Sequence, residues 1–504
     1  MVESRRLSII TPSRSTTLCS ITTNSRYRPG PRLVLVVVCV LHAVSALILV
    51  GPHEGLGWDE TVYLSQLNAH VPAGLFSAPR ARGVTFIVAP VTLITTSTVV
   101  LRVYLSALAG VGAYLGFRPW QRLRPGYVVP AAALMFSSLW MTVFYAFEAM
   151  PNEYVAYAVL AVTAYAICFL QRPDRRRSLG YVAIWMTALA LIRPSDAGYF
   201  TIGLGLLLLV CRLGRVRARI AVLAAAFAGL AIGVGEWVIE AFVSYGGPLA
   251  RYRAASRENG GGLHLLAIDK QFQALAGPLL CRRACVADAP AIARVWWVVG
   301  VLLVVAGCGY GWRRRQTTTV LPAIVAVVIT LQYLVFIGYA APRFLIPTYA
   351  LLSLPAAEAA AAFWSARALV VRNGARVLLP LGFVLLGAIQ VDVLRGHVLP
   401  GVHAQARHVV ALDHVLTEVG VRPPCLVVGV DAAQVSYALR CADSPLGDRR
   451  VQAKAATGEP VAVVSPGRAP PDEFYARWRH REVAGITPGS RLFVYVTNAD
   501  PSTG

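Results

Sequence analysis

The sequence is 504 residues long, with 56% hydrophobic and only 14% charged residues and a formal net charge of +22. An ordinary soluble domain carries roughly 25% charged residues, so a water-soluble fold is ruled out for most of the chain. A nucleic-acid partner is ruled out too, because such a protein gathers its basic residues on one face or stripe, whereas here short arginine clusters punctuate apolar runs. Of the 47 basic residues, only Lys270 and Lys454 are lysine, a bias that points to a high-GC bacterial source.

Residues 1–32, rich in Ser, Thr and Arg, read as a disordered basic cytoplasmic tail. Between 33 and 395 the apolar runs are about 17 to 25 residues long, the length a helix needs to cross ~30 Å of hydrocarbon. They lack the ~10-residue alternating segments of a membrane barrel. The predicted spans are 33–50, 101–117, 127–147, 154–170, 179–195, 197–211, 220–240, 292–311, 319–338, 344–363 and 376–394. The expected fold is therefore an all-α polytopic membrane protein of about eleven helices. A signal peptidase site is conceivable at Ala43-Val44-Ser45, but the run continues through Leu47-Ile48-Leu49-Val50, as an uncleaved anchor does.

Alternate connections hold the arginines, as in Arg118/Arg122/Arg124, Arg172/Arg175/Arg176/Arg177 and Arg313/Arg314/Arg315. Arginine is retained on the cytoplasmic side, which predicts a cytoplasmic N-terminus in the plasma membrane. Connections 51–100, 148–153, 241–291 and 339–343, and everything after 395, then lie outside. Residues 83–100 are apolar enough to cross, yet a span there would invert every later arginine cluster. They are expected to form a re-entrant or interfacial helix, or an outward extension of the second span.

From 396 to 504 the pattern changes to that of a small extracytoplasmic α/β domain. Val402 to Gly420 and Asp431 to Arg440 read as helices, and Cys425 to Val430, Val461 to Val464 and Arg491 to Val496 as strands. The pairs Cys425/Cys441 and Cys281/Cys285 fall on the oxidising side, each as a disulfide or as two free thiols. Cys39, Cys168, Cys211 and Cys308 are small apolar fillers, and no Cys/His spacing suggests zinc.

Charged groups near hydrocarbon are costly and tend to be functional. In Gly57-Trp58-Asp59-Glu60-Thr61-Val62-Tyr63, adjacent carboxylates begin a helix and Asp59 shares a face with Tyr63; capping that helix is the plainer role. Glu148-Ala149-Met150-Pro151-Asn152-Glu153 puts two unpaired carboxylates in an outer turn, where they either meet a ligand or are simply solvated. Arg343, in Ala341-Pro342-Arg343-Phe344, reaches lipid phosphate or anchors the interface. The loop with Arg251, Arg253, Arg257, Gly260-Gly261-Gly262, His264, Asp269 and Lys270 suits a mobile lid, and Glu236 and Glu240 are expected to pair with arginines such as Arg193.

Over roughly residues 33–363 this arrangement resembles the GT-C superfamily of membrane glycosyltransferases, in the branch of the lipid A aminoarabinose transferase and the protein O-mannosyltransferases. Trp58-Asp59-Glu60-Thr61-Val62-Tyr63 matches that branch's Asp-Glu-x-x-Tyr. Met150-Pro151-Asn152-Glu153, Leu191-Ile192-Arg193-Pro194 and Arg343-Phe344-Leu345-Ile346-Pro347 are similar to its later motifs. The family's Pro-Pro-Leu-Tyr-like stretch is replaced by Ala78-Pro79-Arg80-Ala81-Arg82-Gly83-Val84-Thr85-Phe86, which leaves sugar and acceptor open.

The resemblance implies inverting transfer of a sugar, such as mannose or arabinose, from a polyprenyl-phosphate donor to a hydroxyl of a cell-envelope glycan, lipid or protein. It implies Asp59 as base, Glu60 as its orienting partner, and Arg343 with Arg80 or Arg82 on the donor phosphate. Tyr63, Glu148, Glu153 and His264 are candidates for binding substrate. The resemblance implies no certain cofactor beyond the polyprenyl-phosphate donor, and Glu153 is open to sugar hydroxyls or a divalent metal. The rival readings are a transporter or flippase of a lipid-linked precursor, and a scaffold of the same fold without activity.

Overall fold

A computed structural model describes residues 30–210, 213–264, 268–282, 291–445, 448–466, 475, 477–485 and 491–497. The tail before residue 30, Cys211 and Cys285 lie outside the described residues. The chain enters through α1 (Pro31–Leu49), with Pro31 in the first turn, where a missing N–H costs nothing. Two short helices follow, α2 (Trp58–Ser65) and α3 (Gly83–Thr92), before α4 (Thr98–Phe117) runs back. Next come α5 (Val128–Ser137), α6 (Trp140–Tyr145), α7 (Pro151–Gln171), α8 (Arg177–Ile192), α9 (Pro194–Val210) and α10 (Val216–Ser244). The remaining membrane part contains α11 (Pro248–Glu258), α12 (Ile268–Ala274), α13 (Ile292–Arg313), α14 (Thr317–Val335), α15 (Ile346–Trp364) and α16 (Leu369–Asp392).

Among the described residues, 8 helices are long and apolar enough to cross a membrane. Their outward faces carry exposed apolar side chains such as Ile232, Phe242 and Leu378, the surface that hydrocarbon covers. α7 is enclosed, packing against α4, α8 and α15. α8 and α10 meet through glycines on α10: a Cβ on Gly229 or Gly233 would run into the carbonyl oxygens of Ala183 and Thr187. These two glycines are four residues apart, a small-residue spacing that lets membrane helices approach backbone to backbone.

Three span expectations need correction. The run 127–147 is two helices, α5 and α6. The break frees the Trp140 N–H, which the buried Gln390 side chain accepts at 2.8 Å, while Thr142 donates to the carbonyls of Phe136 and Leu139. Residues 83–100 are not an extension of the second span, because α3 ends at Thr92 and Ser97 caps a new helix by accepting from the Val100 N–H. Ten helical residues cover only about 15 Å, too short to cross. Finally, the last predicted span does not stop at 394: through a π-helical turn (Val393–Val398) it continues into α17 (Leu399–Glu418) as one 50-residue helical segment.

α17 delivers the chain to a five-stranded sheet, in the order β2-β1-β3-β5-β4. Its strands are β1 (Leu426–Gly429), β2 (Ala442–Ser444), β3 (Val461–Ser465), β4 (Arg479–Ala484) and β5 (Arg491–Val496), with α18 (Ala432–Leu439) and α19 (Arg449–Ala456) between the first three. β1 runs parallel to β2 and β3, and β5 antiparallel to β3 and β4. A disulfide between Cys425 and Cys441 joins the approaches to β1 and β2.

Replacing Gly233 with Leu is expected to force α10 away from α8 and lower stability by about 1–3 kcal/mol, as overpacking does. Thermal unfolding in detergent measures it; an unchanged midpoint would mean the two helices do not depend on this contact.

Candidate functional site

The site grows from the start of α2. Gly57 precedes the helix, and Glu60, three residues on, accepts the Gly57 N–H at 2.8 Å, so the helix caps itself with its own carboxylate. That carboxylate also accepts the Ala149 N–H at 2.7 Å and a bidentate pair of bonds from Arg102 on α4, at 2.6 and 2.9 Å. The Arg102 terminal nitrogens also donate to the carbonyls of Phe147 (2.9 Å) and Gly55 (2.8 Å), and the guanidinium lies 3.5 Å from Glu148. Glu60 and Arg102 have no exposure at all. Burial favours a neutral carboxyl at Glu60, but Arg102 and the converging donors win and hold it below the ordinary range. Glu148 goes the other way: burial, then the neighbouring Glu60 charge, push its carboxyl well above that range. The two carboxyls that share Arg102 are thus driven in opposite directions.

Asp59 is one residue earlier, on the other side of the helix, and its side chain is 31% exposed. One oxygen is bound by Arg80 and the other by Arg343 at 3.0 Å. Arg193, between α8 and α9, adds its field. Burial raises the Asp59 carboxyl, but Arg343, Arg80 and Arg193 together hold it below its usual value. Arg193 rests over Tyr333 and Phe344 at 5.5 and 5.4 Å and meets Asp196 through Nε at 3.5 Å. Asp196 is fixed in turn by the Tyr333 hydroxyl at 2.6 Å and by Gln332. Arg80 and Arg343 thus grip one carboxylate, and Arg193, itself paired with Asp196, adds to a surplus of positive charge suited to an anion. Tyr63, one turn from Asp59 as predicted, is buried, with Arg80 5.8 Å over its ring and 4.9 Å over that of the exposed Trp58.

The loop carrying Arg80 is pinned. Arg251 is fully buried and donates to the carbonyls of Ala78, Trp237 and Arg80 and to Glu240. This corrects the expectation of a mobile lid at this residue: with four acceptors converging on it, Arg251 is a clamp. Glu240 also binds Arg82, which donates to Gln66 as well. Glu240 therefore pairs with Arg82 and Arg251 rather than with Arg193, and the Arg82 guanidinium is already engaged. Gly83 follows with no room for a side chain, since a Cβ there would lie 2.6 Å from the Ile192 Cα, which fixes α3 against the approach to Arg193.

Two predicted site residues stand apart. Glu153 is buried in the first turn of α7 with both carboxylate oxygens lacking a hydrogen-bond partner. His264 bonds the Gly260 carbonyl at 2.6 Å, and no contact among the described residues links it to Asp59. The donor set does not make a divalent-metal site: Arg102 occupies the space where Glu60 and Glu148 converge, and among the described residues no three His, Cys, Asp or Glu side chains cluster. Sequence reading missed Arg102 and Asp196, whose only signal was a charged residue inside or at the edge of an apolar run.

The C-terminal unit is fastened to the same edge. Gln434 on α18 donates to the Leu56 carbonyl at 2.8 Å, Asn68 donates to the Tyr437 hydroxyl, and the Leu75 N–H donates to Asp443 at 2.9 Å. On α17, His403 meets Glu54 at 2.8 Å.

No family model matches the sequence, and no curated protein matches it. Solved structures do match. ArnT from Cupriavidus metallidurans bound to undecaprenyl phosphate is 14% identical, with a TM-score of 0.63 over 93% of this chain and 98% of that one. The same protein in the apo state gives 0.59 at 14% identity over the same shares. The Archaeoglobus fulgidus oligosaccharyltransferase in the apo form gives 0.52 at 9% identity, over 86% of this chain and 69% of that one. The resemblance to the GT-C superfamily read from the motifs is thereby borne out as a likeness of fold.

Removing one partner of a buried ion pair costs about 3–5 kcal/mol, so Arg102→Met is expected to destabilise the protein by that order. Glu148→Gln puts a neutral amide where burial and the Glu60 charge already disfavour a carboxylate, and is expected to stay within about 1 kcal/mol, the worth of one hydrogen bond. Thermal melts of both variants decide it; a larger loss for Glu148→Gln would mean that Glu148 is ionised. The depressed Glu60 carboxyl contributes stability above its unfolded value of about 4.3, lost as pH falls through the lower folded value.

Proposed function

We propose that this chain is an inverting membrane glycosyltransferase, moving a sugar such as mannose or arabinose from polyprenyl phosphate to a hydroxyl of a cell-envelope glycan, lipid or protein at the outer face of the plasma membrane. The observation that carries the reading is the solvent-reachable Asp59 ringed by Arg80, Arg343 and Arg193. The fold shared with an ArnT bound to undecaprenyl phosphate supports it.

In this mechanism Asp59 accepts the proton of the acceptor hydroxyl while that oxygen bonds to the anomeric carbon and the carbon–phosphate oxygen bond breaks, inverting the centre. The phosphate leaves as an anion, and guanidiniums already in place stabilise the charge it gains. Polyprenyl phosphate is a good leaving group and needs no general acid. Arg343, Arg80 and Arg193 are the donor ligands; Arg82, tied to Glu240, tunes the field from behind. Glu60 orients α2, Glu148 completes its shell, and Tyr63 borders the sugar. Glu153 and His264 carry no step.

The ion pairs on Asp59 make it a weak base while the site is empty of anion. A bound phosphate draws Arg80 and Arg343 toward itself, and Asp59 regains basicity when the donor is in place. Donor before acceptor is the order this favours.

In lipid nanodiscs, transfer from radiolabelled polyprenyl-phosphate mannose or arabinose to membrane acceptors should fall about 10²–10⁴-fold in Asp59→Asn, the range for loss of a general base. Arg343→Gln should lose about 10²–10³-fold. Because the Asp59 carboxyl is depressed, its ionisation is complete at neutral pH, and the acid limb it sets should lie below about 3.9. Equal transfer by wild type and Asp59→Asn would sink the assignment of the base. Movement of intact donor across the bilayer without sugar transfer would favour the flippase.

A further inference from the structure

At the far end of the helices from Asp59, a hollow of about 620 Å³ is lined by Arg122, Asp174, Arg175, Arg176, Arg177, Ser178 and Tyr181. It lies where α4 ends, α7 ends and α8 begins, separated from the Asp59 site by the length of α7, about 30 Å for 21 residues. Four guanidiniums face one carboxylate there, and among the described residues none of the four has an ion-pair partner. This contrasts with Arg124 nearby, which is paired with the buried Glu358.

Three further features shape the hollow. The first turn of the 16-residue α8 borders it, with Ser178 buried and the Ser178 and Leu179 N–H groups bonded to the Arg175 and Arg176 carbonyls, which holds these arginines in one tight turn. Tyr181 forms a firm wall, stacked on Tyr165 with ring centroids 4.7 Å apart. One turn further along α8, Ile184 is 64% exposed, so the charged hollow runs directly into an apolar outward face. A free phosphate uses only the first of these surfaces, whereas a lipid uses both. The size falls within the roughly 300–1,000 Å³ of small-ligand pockets.

We infer that this hollow binds the phosphate head group of an anionic phospholipid, whose acyl chains lie along the exposed face of α8. Basic pockets between membrane helices are known to take such head groups. The site is separate from the donor site and does not rest on the proposed reaction.

The test uses the full chain, purified and delipidated in detergent, and titrated with cardiolipin, phosphatidylcholine or inorganic phosphate while the unfolding midpoint and bound phosphorus are read. Cardiolipin should raise the midpoint and remain bound, and phosphatidylcholine should do neither. Arg122→Gln and Arg176→Gln lie on different elements; each should weaken cardiolipin binding about fivefold, the worth of one arginine at an anionic surface. A variant counts only if its lipid-free midpoint matches wild type. Arg343→Gln should leave cardiolipin binding unchanged, separating this hollow from the donor site. Equal effects of phosphatidylcholine, full reproduction by inorganic phosphate, or indifference to both arginine substitutions would each overturn the inference.

Discussion

The Arg102 guanidinium lies without solvent between Glu60, Glu148 and the carbonyls of Gly55 and Phe147, and the geometry of the reactive edge depends on it. A charge buried this deeply is tolerable only when it is paired and hydrogen-bonded, and both terminal nitrogens of Arg102 are directed at acceptors. Satisfying it draws together four pieces of chain that are distant in sequence: the approach to α2, the first turn of α2, the body of α4 and the turn before α7. Asp59 inherits its position from this, because Glu60 cannot move without stranding Arg102. The Asp59 carboxylate is partly exposed, while its neighbour Glu60 is buried, and the difference follows from which side of α2 each residue occupies.

The Asp59 side of the helix is organised by the opposite imbalance. There, positive charge exceeds negative, and the surplus is maintained by backing carboxylates: Asp196 under Arg193, Glu240 under Arg82 and Arg251. Each acid restrains an arginine without neutralising the field at the centre. Guanidiniums held in this way have already lost most of their conformational freedom, the condition under which a charge can be stabilised with little rearrangement.

Much of this was legible in the sequence, and the parts that were not have common causes. The Asp59/Tyr63 face, the strands at β1, β3 and β5, and the likeness to the GT-C fold all rest on local spacing or on short motifs, which survive folding unchanged. Arg102 and Asp196 were invisible because a lone charge at or near an apolar run does not announce its partner, and both find theirs on other helices. Glu240 was assigned to Arg193 on the strength of shared sidedness alone; the 78–82 loop, whose path no periodicity reveals, brought Arg82 to it instead. The break between α5 and α6 escaped notice for a similar reason, since hydropathy averages over a run and does not register one N–H claimed by Gln390.

The π-helical turn at Val393–Val398 joins the last membrane helix to α17 and the C-terminal sheet as one continuous helical segment, and so it works as a rotary coupling. In an α-helix each residue turns the chain by about 100°. Deleting one residue from the α-helical α17 would swing the α/β unit that follows it about the helix axis by about that angle. Gln434, Tyr437 and Asp443 would leave Leu56, Asn68 and Leu75 together, because all three contacts sit on one rigid body. The phase of this helix, and not only the chemistry of the facing surfaces, sets whether the C-terminal unit engages the edge around α2.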